Sequence, residues 1–304
     1  MKLKMCVGFL LVFAGYSSYS FSPDTTQLKP KAVFGKEARV ISYLLDNHHF
    51  RRIKFNDSLS SIVLDSYFRE LDNSKIYFLE SDIRSFDGYR QKLDDLTRTE
   101  NVTPAFTIYS VFQHRYRTRL QYALASLVGR EFDFTGDESY ETDREKTPWA
   151  VSSAQLDETW GKIIKSQALG LKLTGKTQAE ITDVLKKRYE RLLKSFEQIN
   201  IEDVFSIYMN CITEAYDPHT SYLGPKARDQ FKQSMSLSLE GIGARLQTEN
   251  EYTKVFEIIP GGPADKSKQL HANDLISGVA QGKDGEMIDV VGWRLDEVDR
   301  HRPP

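Results

Sequence analysis

Two hydrophobic periods divide this sequence, and the place where one gives way to the other limits the folds open to it. From Ser22 to about Phe231 the apolar residues recur at three- and four-residue steps, the period of helices with one buried face. After Ser236 they alternate at two-residue steps and are punctuated by glycine and proline, the texture of short strands and tight turns. A chain of 304 residues is about twice the size of a typical domain, so it has room for both textures as separate units. The expectation is an α+β multidomain protein with a helical part over residues 21–235 and a small β-rich module over residues 236–298.

The helical part carries its own start signals. Asp57 or Ser58 can cap a helix bearing Leu59, Ile62, Val63, Tyr67, Phe68 and Leu71. Thr103 before Pro104 reads as an N-cap with proline at the first helical position, opening a segment that carries Phe106, Ile108, Tyr109, Phe112, Leu120 and Leu127. Thr177 and Glu180 have the spacing of a capping box ahead of Ile181, Leu185 and Phe196. A further helix around Glu202 to Thr213 has Glu202 and Asp203 in its first turn, where the helix dipole favours negative charge. The acidic stretch Asp137 to Lys146 has one large apolar residue, Tyr140, and reads as a solvated loop.

In the second part, Leu237, Leu239, Ile242, Ala244 and Leu246 suggest a strand interrupted by Gly241 and Gly243. Val255 to Ile259 suggest a second strand, ending at Pro260-Gly261-Gly262-Pro263. A short helix or turn over Ala264 to Leu270, a turn at Ala272-Asn273-Asp274 and a strand from Leu275 to Ala280 follow. Ile288, Val290 and Val291 then lead to a helix near Trp293.

The first twenty residues differ from the rest. Lys2 and Lys4 precede an apolar run from Met5 to Ala14, with Ser18 and Ser20 at the small-residue positions of a secretory signal, which places cleavage before Phe21. The run is shorter than the ~18 residues a spanning helix needs, and an uncleaved anchor is the alternative. Cleavage removes Cys6 and leaves Cys211, so no intrachain disulfide can form. Cys211 lies in an apolar helical pattern and reads as a buried small hydrophobe. Lys plus Arg (41) nearly balance Asp plus Glu (43), which argues against nucleic acid as a partner and limits the membrane to signal-peptide targeting.

Asp217-Pro218-His219-Thr220-Ser221-Tyr222 offers a carboxylate, an imidazole and hydroxyls together. Asp before Pro starts turns, and residues so close in sequence rarely meet in triad geometry, so a structural role is expected. His48 and His49 lack a second ligand cluster, and neither a metal nor any other cofactor is expected.

The combination Ser238-Leu239-Glu240-Gly241-Ile242-Gly243-Ala244, Ile259-Pro260-Gly261-Gly262-Pro263-Ala264, Asn273-Asp274-Leu275-Ile276 and Asp289-Val290-Val291-Gly292-Trp293-Arg294-Leu295-Asp296 closely resembles the PDZ domain of the bacterial tail-specific proteases. These are also called carboxyl-terminal processing proteases. Upstream, Leu71-Asp72, Lys75, Tyr77-Phe78-Leu79, Asp82-Ile83 and the run from Glu202 to Tyr222 resemble the helical amino-terminal domain of the same family. The resemblance covers about residues 36 to 297, and by it residues 236–298 are an incomplete PDZ domain.

What the resemblance implies is the amino-terminal and PDZ part of a periplasmic serine endopeptidase that selects substrates by their carboxyl termini. The family's serine nucleophile and lysine base lie downstream of the PDZ domain, so no catalytic residue is assigned and the chain alone is expected not to cleave peptides. The alternative is a non-catalytic exported peptide-binding or scaffold protein. The partners implied are the C-terminal tails of protein substrates, with an adaptor lipoprotein as a further one. By the same resemblance Leu239, Glu240, Gly241, Ile242 and Gly243 form the carboxylate-binding loop and Ala244 to Gln247 the pairing strand, while Ile242, Leu246 and Leu295 wall the side-chain pocket. Glycine suits that loop because amides converge on an anion only where no Cβ intervenes. Asn273 replaces the family's usual turn glycine and tolerates positive φ. The ending at residues 299–304 departs from the family pattern: it puts charge on the apolar face of the helix and adds Pro303 and Pro304, and a module closed this way is expected to be weakly stable.

Overall fold

The computed structural model describes residues 28–236, 241–249, 252–280, 285, 287–295 and 298. The expected signal peptide at 1–20, Leu237, Leu239, Glu240 and the ending at 299–304 lie outside the described residues. The protein is α+β: helices run as far as Ser236, and strands begin at Ala244.

Among the described residues of the first part, α-helices follow one another as α1 (Ala32–His48), α2 (Asp57–Leu71), α3 (Glu80–Ser85), α4 (Leu93–Arg98), α5 (Thr103–Ser126), α6 (Ser153–Leu173), α7 (Gln178–Glu197), α8 (Ile201–Tyr216) and α9 (Pro225–Ser236). Two expected caps fall elsewhere. Asn56, not Asp57 or Ser58, caps α2: its backbone is extended, and its side chain accepts from the Leu59 N–H at 3.1 Å. At α5 the cap position is Val102, and the Thr103 N–H instead donates to Asn101 Oδ1 at 3.0 Å; Pro104 does lie in the first turn. The Thr177–Glu180 capping box forms as expected, with the Thr177 N–H 2.8 Å from Glu180 Oε2. Asn200 and Asp203 make a second box at α8, with the Asn200 N–H 3.0 Å from Asp203 Oδ2.

The helix α5 is long enough, at ~1.5 Å per residue, to serve two cores. Its first half buries Phe106, Tyr109 and Phe112 against Phe34 of α1, Leu64 and Tyr67 of α2, and Phe205 and Tyr208 of α8. Its second half buries Leu120 and Ala123 against Trp160 and Ile164 of α6 and Ile181, Leu185 and Tyr189 of α7. Tyr77 and Tyr116 pack against both cores, their ring centroids 4.8 Å apart. At Gly35 a Cβ would collide with the carbonyl oxygen of Glu100, so α1 approaches the start of α5 as closely as it does because that position has no side chain.

The segment between α2 and α3 joins the two cores. The Asp72 carboxylate, 2% exposed, accepts the backbone N–H groups of Ile76, Tyr77 and Phe78, each at 2.9 Å. Trp160 Nε1 of α6 donates to Ile76 O at 2.8 Å. The loop over 137–146 is largely exposed, as expected, but it is tied down at several points: Arg144 Nε donates to Ser74 O, Lys75 Nζ to Thr147 O, and Lys165 pairs with Glu138.

The second part contains β1 (Ala244–Glu249), β2 (Tyr252–Ile258), α10 (Pro263–Ser267), β3 (Leu275–Ile276), β4 (Gly278–Val279) and β5 (Ile288–Asp289). Antiparallel pairing gives the order β1-β2-β3 in one sheet and β4-β5 in another, with an irregularity in β1 between Arg245 and Leu246. The strand expected from Leu275 to Ala280 is thus two short ones. Val290 donates to Ser277 O at 3.0 Å, which marks Ser277 as the point where the chain leaves one sheet for the other. Asn273 takes φ +76 in the expected turn. The module buries Val255, Ala264, Val290 and Val298 but leaves Phe256, Leu275 and Met287 more than half exposed, so its core is thin.

Candidate peptide-binding site

In the three-stranded sheet β1 is an edge strand: it pairs with β2 on one side, and among the described residues no strand pairs with its other side. Such an edge presents unpaired N–H and C=O groups at the spacing an added strand requires. Gly241, Ile242 and Gly243 form the bend that leads into it.

The loop's orientation follows from what its carbonyls do. Ile242 O accepts from the Ala264 N–H at 2.8 Å, and Gly243 O from the Ile259 N–H at 2.9 Å. Both carbonyls are therefore committed to the start of α10 and the end of β2. Among the described residues no backbone acceptor takes the Ile242 or Gly243 N–H. Gly243 has φ +78, and a Cβ there would stand 2.8 Å from Pro263 Cδ and 3.1 Å from Gly262 Cα. Gly262 is bounded in return by Gly243 Cα at 3.0 Å, so two glycines let the loop and the α10 turn meet backbone to backbone.

The side chains named from the sequence are distributed as follows. Ile242 is half exposed on the loop. Ala244 and Leu246 are the less exposed positions of β1. Leu295 is partly exposed at the start of a helical turn in which the Val298 N–H donates to Arg294 O at 3.1 Å. Leu239 and Glu240 lie outside the described residues. Sequence reasoning assigned no role to Arg294, which the structure ties to the helical part: it pairs with Asp203 and donates to Gln198 O at 2.9 Å. The two partners are more than ninety residues away in the chain, and no local pattern signals such a contact.

The Asp217 to Tyr222 loop makes several local and long-range hydrogen bonds. Asp217 Oδ1 accepts the His219 N–H at 2.8 Å, and this bond, with the nearby imidazole, holds the carboxyl below its ordinary pKa. The His219 side chain is 91% exposed. The Thr220 hydroxyl lies 3.1 Å from His49 Nε2, and the Tyr222 hydroxyl donates to Glu37 at 2.9 Å. The hydroxyls thus face α1 and its following turn, and the loop fastens the end of α8 to α1. Among the described residues no group of three His, Cys, Asp or Glu side chains could hold a metal ion.

Cys211 is 5% exposed in the first core, and burial pushes its thiol up to about 12. The expected result is that Ellman's reagent leaves Cys211 unmodified in folded protein at pH 8 and reacts at least about a hundredfold faster once urea has unfolded it. Equal rates in the two states would place the thiol at the surface.

Among the described residues this is a helical scaffold carrying a small sheet in which β1 lies at an edge beside a glycine-containing loop. The chain belongs to the tail-specific protease family: the model for the family's "Tail specific protease N-terminal domain" matches residues 40–226. It is 39% identical over 255 residues to the tail-specific protease of Haemophilus influenzae, covering 84% of this chain and 36% of that protein. It is 29% identical over 87 residues to the carboxy-terminal processing protease CtpA of Bacillus subtilis, covering 28% of this chain and 19% of that one. The matches thus span about a third or less of the length of these curated relatives. A crystal structure of the PDZ domain of a Vibrio cholerae carboxy-terminal protease in complex with a peptide is 48% identical, covers 22% of this chain and 66% of that one, and has a TM-score of 0.20.

Proposed function

We propose that this chain is the substrate-recognition part of a periplasmic tail-specific serine endopeptidase. Its sheet module acts as a PDZ-type receptor for the carboxyl-terminal tails of protein substrates. The substrate tail adds to β1 as a further strand, its terminal carboxylate rests on the amides of the Gly241–Gly243 loop, and its last side chain lies between Leu246 and Leu295. The observation that carries this reading is the pairing of a free strand edge with a loop whose Ile242 and Gly243 carbonyls are both engaged elsewhere. Membership of the tail-specific protease family supports it. Hydrolysis in this proposal belongs to a serine–lysine pair outside these 304 residues, and export follows from the charged and apolar segments at Lys2 to Ala14.

The test is fluorescence anisotropy with a short labelled peptide ending in an apolar residue, compared with its carboxamide. Charge-assisted hydrogen bonds to a carboxylate contribute about 1.5 to 3 kcal/mol, so the amide should bind at least about tenfold more weakly. Equal affinities would remove the carboxylate from the recognition scheme.

A further inference from the structure

The last turn of the sheet module is gripped by the corner between α7 and α8. Arg294, with 17% of its side chain exposed, pairs with Asp203, whose side chain is 32% exposed. One of its guanidinium nitrogens donates to both Gln198 O and Asp203 Oδ2, and the other lies 3.5 Å from Asp203 Oδ1. In the other direction Gln198 Nε2 donates to Gly292 O at 3.3 Å. Gln198 follows α7 as its C-cap, where the helix dipole leaves carbonyls with partial negative charge, and Asp203 sits in the first turn of α8. A planar guanidinium with five donors can satisfy a carboxylate and a helix-end carbonyl together, which a lysine ammonium does less well.

The position of the grip gives it a consequence for binding. Arg294 immediately precedes Leu295, and its carbonyl accepts the Val298 N–H, so it starts the helical turn that carries Leu295. Asp203 is itself held in place, because its Oδ2 also accepts the Asn200 N–H in the α8 capping box. The turn that carries one wall of the expected pocket is therefore anchored to a rigid corner of the helical part.

We infer that Arg294 is a positioning residue: by clasping Asp203 and Gln198 it sets the Leu295 wall of the peptide groove, so that peptide affinity depends on a contact outside the groove. This deepens the peptide-binding proposal and rests on it.

The test uses the whole chain and four forms, wild type, Arg294→Ala, Asp203→Asn and the double variant, titrated with the free-carboxylate peptide and its carboxamide. Asp203→Asn keeps a side-chain carbonyl for the Asn200 N–H and removes only the charge, so it reads the clasp in a helix whose cap is retained. Each single variant is expected to lose about tenfold in affinity, within the usual range for coupling between sites, and the double variant to lose no more than either single one. Both peptides should weaken by the same factor, because the clasp places the wall and does not touch the carboxylate. Arg294→Lys should recover part of the loss. Singles that stay within twofold of wild type, additive losses in the double variant, or a loss confined to the free-carboxylate peptide would each overturn the positioning role.

Hydrogen exchange at the Val290 and Trp293 amides without peptide separates the two ideas. If wild type fails to distinguish the peptides, the binding proposal falls. Unchanged exchange in Arg294→Ala and Asp203→Asn then overturns the clasp, and faster exchange in both upholds it as a contact between the two parts.

Discussion

Replacing Asp72 with alanine should remove about 3 to 5 kcal/mol of stability from the helical part, measured as a fall in the urea midpoint with an unchanged slope. The carboxylate is nearly inaccessible and accepts three successive backbone N–H groups, those of Ile76, Tyr77 and Phe78. Alanine leaves all three donors without a partner, and a buried unpaired N–H costs about 1 to 3 kcal/mol. The full sum is not expected, because Ile76 and Tyr77 are only partly buried and water can reach part of what is exposed. The damage then spreads through the segment those bonds hold. Tyr77 packs on both cores, Phe78 lies against Phe68 and Phe112, and Ile76 O receives the Trp160 indole N–H. Loosening residues 76–78 therefore weakens one of the ties between the two cores, which α5 and Phe196 of α7 still join. Asparagine is a poor rescue, because it offers one acceptor oxygen where three donors converge and turns an NH2 group toward them. Domains of this kind have about 5 to 15 kcal/mol in hand, so Asp72→Ala should be close to the limit of folding. A midpoint shift worth less than about 1 kcal/mol would mean that the three N–H groups find other partners.

That Asp72 matters was only half legible from the sequence. Its neighbourhood, Leu71-Asp72 with Lys75 and Tyr77-Phe78-Leu79, carries a family resemblance, but nothing in its spacing says that one carboxylate closes three N–H groups. What was legible is what depends on neighbours in the chain. The Thr177–Glu180 box is a three-residue signal and forms as read. The apolar period of α5 predicts a buried stripe, and Phe106, Tyr109, Phe112 and Leu120 are buried. Caps were less secure, since Asn56 and Asp57 are both good cap residues and the backbone at Asn56 decides between them. Where two segments remote in sequence must meet, local pattern carries no information. The alternation from Leu275 to Ala280 looks like one strand, and only the bond from Val290 to Ser277 shows that the chain changes sheet there. The contact of Arg294 with Asp203 is of the same kind. At the candidate site the need for glycine at 243 could be read as a need for approach by a ligand. The structure adds a second reason, which is the close passage of Gly262.

That second reason makes Gly243→Ala the most damaging small change to the binding module. An alanine there meets two costs at once. The backbone sits at φ +78, where an L side chain costs about 1 to 2 kcal/mol. Its Cβ would also lie 2.8 Å from Pro263 Cδ and 2.9 Å from Pro263 N, atoms of a ring fixed to the backbone that cannot turn aside as a flexible side chain would. The loop must move off the α10 turn, which stretches the bonds from Ala264 to Ile242 O and from Ile259 to Gly243 O. Those bonds aim the loop's carbonyls away from the groove, so displacing them misdirects the amides proposed to hold the carboxylate. Peptide affinity is expected to fall by about a hundredfold or more, since an anion held by amides loses several charge-assisted bonds together. The helical part should be indifferent. Its urea transition, followed through Trp149 and Trp160 with Trp293 changed to phenylalanine, should keep its midpoint, because neither core includes a residue of the module. Retention of peptide affinity within about threefold would show that the carboxylate does not sit on this loop; a joint loss of binding and of the helical transition would show that the two parts fold as one unit.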